Sequence, residues 1–398
     1  MNSPATSTAV PLQRLRLDQP TIMLVSVIVL FGLIMVGSAS VSLSAHQSGD
    51  PFGYLTRQLV TALVGALLCT IMLHVPMAFW QRIAMPMLIT AAVLLIAVAI
   101  PGIGHKANGA RRWLELGPFA FQVSEATRIM VLLFMADFIV QQKDALKQEA
   151  LPLFKGLGVL AVYAVLLLIQ KDFGAGAVVV ITGLGLLFVA GAPLRWVSLV
   201  IGLVAVAGAI PVWLTPYRLR RVVSFMDPWA DPLKDGFQLT QSLMAIGSGD
   251  WLGVGLGASV QKLFYLPEAH TDFLFAVLAE ELGLAGVALT LVLFGLLVWR
   301  VLRIARTAHE AGLDFHAYVA AGFGLWLGLQ AFINIGVNMG ALPTKGLTLP
   351  LMSYGRSSLL MSLLWIGIVL RVHHEATGDP RAAGMGARRR NSPLAVAS

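Results

Sequence analysis

Apolar stretches recur along the whole chain, scattered around the roughly twenty residues that cross about 30 Å of hydrocarbon. They run Thr21–Leu43, Leu59–Val75, Ile83–Ile100, Ser124–Val140, Gly156–Ile169, Gly174–Pro193, Val197–Leu214, Phe273–Trp299, Tyr318–Val337 and Ser357–Leu370. Only helices or closed barrels satisfy their own backbone inside a bilayer. Unbroken runs fit helices, whereas barrel strands alternate polar and apolar. The expected fold is an all-α polytopic membrane protein of about ten transmembrane helices, with a long outer loop between spans seven and eight. Charged residues make up 12% of the 398 residues, against about 25% in a soluble domain.

An even number of spans puts both termini on one side. Basic residues favour the cytoplasmic side of short loops, and Lys143, Lys147 and Lys155, then Arg300, Arg303 and Arg306, mark two such loops. The chain therefore divides into a cytoplasmic N-terminal arm (1–20), a transmembrane domain (21–371) with a large periplasmic loop (215–271), and a cytoplasmic basic tail (372–398) ending near Arg388, Arg389 and Arg390. Small residues at Gly37–Ser40 resemble a signal-peptidase site, but the first apolar run is too long and too many spans follow for cleavage. The net charge of +8 is scattered over membrane loops. That distribution fits anionic lipid and an anionic substrate, and argues against nucleic acid. The single Cys69 allows no internal disulfide.

The chemistry concentrates in Leu266–Glu281, LPEAHTDFLFAVLAEE. Asp272 stands where a polar loop becomes an apolar run, and Glu280 and Glu281 lie inside that run. Ionisable groups in a membrane span are costly and point to function; a carboxylate that merely caps the helix is the competing reading. Glu125 and Arg128, three residues apart, share one face of the fourth span. They are either a self-neutralising pair or one wall of an outer cavity, with Arg111 and Arg112 in the preceding loop. Asp172, beside Lys171, reads best as a turn residue, and Arg218, Arg220 and Arg221 as a headgroup-facing run. The Gly-rich GSGDWLGVGLG stretch can let backbone approach a ligand closely. No His, Cys and carboxylate spacing reads as a zinc site.

The block DPWADPLKDGFQLTQSLMAIGSGDWLGVGLGASVQKLFYLPEAHTDFLFAVLAEELG (Asp227–Gly283) resembles the signature of the SEDS family (shape, elongation, division, sporulation). QLTQSLMAIG, GLGASVQKL and YLPEAHTDF resemble its cell-division, FtsW-like branch. The resemblance covers nearly the whole chain. It implies an inner-membrane, multi-pass peptidoglycan glycosyltransferase that polymerises lipid II at the division septum. It implies as partners a class B penicillin-binding protein, an FtsI-like transpeptidase, and other divisome membrane proteins. It also implies an essential acid at Asp272, substrate-binding roles for Glu125, Arg128 and Lys345, and an assisting Mg²⁺ or Mn²⁺ without any organic cofactor. Arg111 and Arg112 join these as cation candidates for the diphosphate.

The chain departs from family patterns at several positions. Val123 and Arg128 replace the Pro and Lys of Gln-Pro-Ser-Glu-x-x-Lys, and Lys171 replaces the Pro of Gln-Pro-Asp. Arg356 replaces the second Gly of Tyr-Gly-Gly-Ser-Ser, which strains the backbone if that site needs positive φ and otherwise adds a cation. Arg keeps charge where Lys stood but grips phosphate in a different geometry. A lipid II flippase and a non-catalytic division scaffold are the rival functions.

Overall fold

The computed structural model describes residues 15–107, 110–117, 119–199, 224–234 and 236–378, with isolated positions between 202 and 214. Most of the expected seventh span, the run Arg218 to Arg221 and most of the two terminal segments lie outside those residues. The other nine expected spans are helices. In chain order the helices are α1 (Gln19–Ser48), α2 (Gly53–His74), α3 (Met77–Arg82), α4 (Ala84–Ala99), α5 (Val123–Gln141), α6 (Lys143–Gln148), α7 (Leu151–Ile169), α8 (Phe173–Val189), α9 (Phe237–Ser248), α10 (Leu274–Glu310), α11 (Asp314–Asn338) and α12 (Arg356–Gly378). Six of them, α1, α2, α7, α10, α11 and α12, are long and apolar enough to cross a bilayer, and α4 and α8 are shorter apolar helices. The chain is a multi-pass membrane protein. Its apolar surface agrees, since Leu30, Ile34, Leu63, Leu67, Ile89 and Val93 all point outward from the bundle.

Local sequence sets several boundaries. Asp18 caps α1 by accepting from the Thr21 amide (3.1 Å), and Pro20 stands in the first turn, where its missing N–H costs nothing. Gly49 ends the helix at φ 72°. Small residues then let helices touch where apolar burial alone gives little drive. A Cβ added at Gly65 of α2 would lie 2.5 Å from Leu363 of α12, and one at Gly367 would lie 2.5 Å from the Cys69 carbonyl. At one end of the bundle Arg300 pairs with Asp18, and the Arg16 amide donates to His374 Nδ1 (3.1 Å). The start of α1 and the end of α12 therefore meet.

The loop expected between spans three and four is not irregular. It forms β1 (His105–Ala107), β2 (Ala110–Leu116) and β3 (Phe119–Gln122), an antiparallel sheet in the order β1-β2-β3. The helical bundle thus carries one short sheet in a connecting loop. Gly117, at φ 63°, turns β2 into β3, and Leu114 faces Phe121 while Trp113 faces Gln122. The sheet is short and stands next to helix ends, so no span-length pattern announced it. β3 runs directly into α5 and so delivers Glu125 and Arg128 to the bundle.

The eighth span is a broken helix. Gly283 sits at φ 60°, ψ −159° inside α10. The Gly-rich stretch after α9 threads into that break: the Val254 and Gly255 amides donate to the Glu280 and Glu281 carbonyls (2.9 and 3.1 Å), and the Leu284 amide donates to Asp250 O (2.9 Å). A Cβ at Gly249 would lie 1.9 Å from Ala279 O, and one at Gly253 2.1 Å from Glu281 O. Gly249 and Gly253 bring the loop's backbone against the helix's own backbone. Both intramembrane glutamates secure the same loop. Glu280 accepts from Ser259 and from the Val260 amide (2.9 Å), while Glu281 pairs with Lys262 (2.7 Å) and accepts from Ser38 of α1 (2.7 Å). Gly253→Ala is expected to destabilise the purified protein by about 1–3 kcal/mol, combining overpacking with backbone strain. Gly247→Ala, which would meet nothing within 4 Å, should leave the thermal midpoint in detergent within error.

Candidate active site

Asp272 ends the loop that leads into α10. Glu268, at φ 57°, makes the turn; its carbonyl accepts from the Phe273 amide (3.2 Å), and its carboxylate accepts from Thr271 Oγ1 (2.7 Å). His270 packs between Tyr54 and Tyr354, with ring centroids 4.8 and 5.4 Å away, and its carbonyl accepts from the Tyr354 amide (3.0 Å). Burial lowers the His270 pKa against the pull of Glu268. That aromatic packing suits an imidazole acting as structure.

Asp272 does not cap α10. Phe273 is the N-cap residue and makes no side-chain cap bond. The acceptor for the first turn is Asn338 Oδ1, which takes the Ala276 amide (3.1 Å). The main-chain carbonyl of Asp272 receives two amide donors, Asn334 Nδ2 (2.8 Å) and Asn338 Nδ2 (3.0 Å). Its carboxylate lies against Gly346, where an added Cβ would stand 3.1 Å from Oδ2. Burial first, and the Glu268 charge second, push the Asp272 carboxyl up to about 7. Gly346 and the adjacent Lys345 are exposed, so the half-buried carboxyl opens onto solvent at this end of the bundle.

The other predicted residues fall into separate contacts. Arg128 is 2% exposed and Glu125 7%; Arg128 Nη2 donates to Glu125 (2.6 Å) and Nη1 to Gln330 Oε1 (2.6 Å). The guanidinium carbon also lies 4.9 Å from the centre of the Trp326 ring. The pair is sealed in the core. Arg112 donates to the carbonyls of Gln170 (3.1 Å) and Lys171 (2.7 Å), tying β2 to the turn between α7 and α8. Arg111 is half-buried in β2, opposite Lys106. Lys345 Nζ stands 5.7 Å from the centre of the Phe173 ring.

One stripe of α11 joins these pieces, and the sequence reading missed it. Gln330, Asn334 and Asn338 are four residues apart and so share a face. Gln330 links Arg128 to the Thr348 carbonyl (3.0 Å), and Asn334 links Asp272 to the Leu347 carbonyl (2.6 Å). The signal was present as three amides at regular spacing in an apolar helix, a costly placement unless every one is bonded.

A family profile described as a cell cycle protein, FtsW/RodA/SpoVE, matches residues 18–378. The chain belongs to that family. It is 49% identical over 360 residues to the probable peptidoglycan glycosyltransferase FtsW of Thioalkalivibrio sulfidiphilus, covering 90% of each chain. It is 49% identical over 368 residues to that of Halorhodospira halophila, covering 92% of this chain and 93% of the relative. Among solved structures it matches a chain described in work on the structural coordination of polymerization and crosslinking by a peptidoglycan synthase complex. That match has a TM-score of 0.74 and 33% identity, over 92% of this chain and all of the other. The rod shape determining protein RodA of Thermus thermophilus matches with a TM-score of 0.66 and 31% identity, over 92% of this chain and 99% of the other.

The departures from the family patterns have structural accounts. Val123 opens α5 fully buried, taking the first helical position that a Pro would suit. Lys171 adopts φ 59°, and Asp172 caps α8 through the Ala175 amide (3.3 Å) while accepting from Ser124 (3.1 Å). Arg356 is the first residue of α12 and is not among the residues of positive φ, so it brings no strain. Removing one member of the sealed pair strands the other. Glu125→Ala should cost about 3–5 kcal/mol, whereas the double change with Arg128→Met should cost less. Thermal unfolding of the two variants in detergent measures the difference.

Proposed function

We propose that this member of the family polymerises lipid II into glycan strands, with Asp272 as the general base. A growing glycan that ends in a lipid diphosphate is the donor, and a sugar hydroxyl of incoming lipid II is the acceptor. Asp272 takes the hydroxyl proton as the new bond forms, and the diphosphate leaves from the opposite face of the sugar. An α-linked donor then gives a β-linked strand by one inverting displacement, with no covalent intermediate. Developing charge on the diphosphate calls for cations. Lys345 is the one whose chain position adjoins the residue touching Asp272. Of the other candidates, the buried Glu125–Arg128 pair and Arg112 shape the wall from behind, and Arg111 is offered from β2 as a further cation.

The observation that carries this reading is a half-buried carboxyl, poised near 7, that opens beside an exposed lysine. A base works best when its pKa lies near the working pH. Among the described residues no group of three or more His, Cys, Asp or Glu side chains could hold a metal. A protein-held metal centre does not fit those residues. A divalent ion such as Mg²⁺ or Mn²⁺ enters this proposal only as a counter-ion carried by the diphosphate oxygens.

The proposed setting is the bacterial inner membrane at the division septum, with both termini cytoplasmic. Arg16, Arg300 and Arg371 stand where the chain ends meet, which supports that orientation. The proposed partners are a class B penicillin-binding protein and other divisome membrane proteins, with anionic lipid around the bundle. Likeness to a chain from a peptidoglycan synthase complex supports the first of these.

Asp272→Asn should lower lipid II polymerisation by the purified protein and its transpeptidase partner about 10²–10⁴-fold, the usual share of a general base, while lipid II binding persists. Normal polymerisation by that variant would end the base assignment and leave a flippase or scaffold. The native rate should rise with pH and reach half its plateau near 7, where Asp272 ionises. Glu268→Gln removes a repelling charge and should move that midpoint to lower pH.

The same shift bears on stability. The folded pKa is raised, so the penalty is absent below the unfolded value, 3.8, grows as pH rises, and is complete above about 7. Keeping the carboxylate ionised there costs up to about 4 kcal/mol. Asp272→Asn should therefore raise the thermal midpoint at pH 8 and leave it unchanged at pH 4.

A further inference from the structure

A base must be held in place without being quenched. Hydrogen bonds to a carboxylate stabilise its charged form and lower its proton affinity. Among the described residues, no side chain or amide donates to the Asp272 carboxylate, whereas Glu125, Glu280 and Glu281 each accept at least one bond. The Asp272 side chain is short, and its aim follows from its own main chain. That main chain is gripped at the residue's own carbonyl and again in the helical turn that follows it. Asn334 and Asn338 both donate to the Asp272 carbonyl, and Asn338 Oδ1 takes the Ala276 amide in the first turn of α10.

The grip is itself rigid. Asn338 Nδ2 also donates to Asn334 O (2.8 Å), and the Asn338 carbonyl accepts from Ser242 Oγ of α9 (2.8 Å). Asn334 Nδ2 also donates to Leu347 O (2.6 Å), next to the glycine that faces the Asp272 carboxylate. Asn334 and Asn338 are 2% and 0% exposed. One pair of amides thus fixes the carbonyl of the acid, the helix it precedes and the loop it faces.

We propose that Asn334 and Asn338 are positioning residues for glycosyl transfer, holding Asp272 by its backbone so that its carboxylate stays unbonded and aimed toward Gly346 and Lys345. The proposal rests on Asp272 being the base. It makes α11 the registering element of the site, and it assigns the two amides a role in turnover beyond the cohesion of the bundle. Among the described residues, Glu268 is the charge that acts on the carboxylate; His270 stands two positions before Asp272 in the same loop, and Lys345 precedes the Gly346 that faces it.

The test is steady-state polymerisation of lipid II by the full chain with its transpeptidase partner, for Asn334→Ala, Asn338→Ala and the double variant. A misplaced reacting group costs up to about 10²-fold. Each single change leaves one donor on the Asp272 carbonyl. Each should therefore lower kcat by roughly tenfold or less, with KM for lipid II within about twofold. The double change should lose more than the product of the two, because both donors serve one acceptor. The pH midpoint should fall in the double variant, as a loosened carboxylate regains water.

Thermal midpoints are measured alongside. If Asn338→Ala does not fold, Asn334→Ala, which keeps the cap on Ala276, carries the test of kcat and of the pH midpoint. Native kcat and an unmoved pH midpoint in the double variant, or in Asn334→Ala when it stands alone, would overturn the positioning role. So would a fall in thermal midpoint without any fall in kcat. Asp272→Asn in the same assay separates the two layers. If it stays active, the base assignment has failed; if it is inactive while the asparagine variants turn over normally, only the positioning role has failed.

Discussion

A carboxylate inside a bilayer protein must be bonded, neutralised or protonated, and the arrangement of this chain follows from how each acid meets that demand. Glu125 is neutralised by Arg128, Glu281 by Lys262, and Asp18 by Arg300. Glu280 is satisfied by a serine and a backbone amide, and Asp137 by two glutamines. Asp18, Glu280, Glu281 and Asp137 each bond an element distant in sequence, and the Glu125–Arg128 pair within α5 reaches Gln330 of α11, so the acids act as rivets between helices and loops. Asp272 follows neither course among the described residues. Its charge is left to be settled by pH, which is what a proton acceptor requires.

The rivets and the bare acid depend on each other. An unbonded carboxylate cannot anchor its own residue, so Asp272 is held through its backbone and its neighbours. The Glu280 and Glu281 contacts tie the preceding Gly-rich segment into the break in α10, and the asparagines of α11 hold the last residues before that helix. The break at Gly283 serves the same end. It exposes helix carbonyls that the 254–255 amides then occupy, so a polar loop is secured at membrane depth without orphaned backbone groups.

Much of the fold was legible because lipid imposes a length rule on apolar runs, and nine of the expected spans coincide with helices. The sheet of β1 to β3 was not, since its strands are short and carry no span-scale pattern. Asp272 stood out by its place at a polar–apolar border, and spacing alone put Glu125 and Arg128 on one face. Spacing could not tell that the pair would be sealed against Gln330 and Trp326 rather than facing solvent. The Gly-rich stretch signals close backbone approach, and at Gly249 and Gly253 the approaching partner is α10. The amide stripe went unread because neutral residues carry no charge signal, and their meaning lies in the acceptors that the fold brings to them.

A family pattern and a physical role need not coincide residue by residue. Where the pattern has Lys, Arg128 has a planar fork that fits two acceptors at once. Glu125 and Gln330 supply them, and the ring of Trp326 covers the guanidinium face. A lysine ammonium in that place could satisfy the same acceptors while leaving a more compact charge with room to turn. Arg128 is therefore a fixed strut between α5 and α11. The strut ends on Gln330, one turn of α11 away from Asn334. Through that turn the position of the core pair and the position of Asp272 are set by one helix, so a shift of α11 along its axis would move both together.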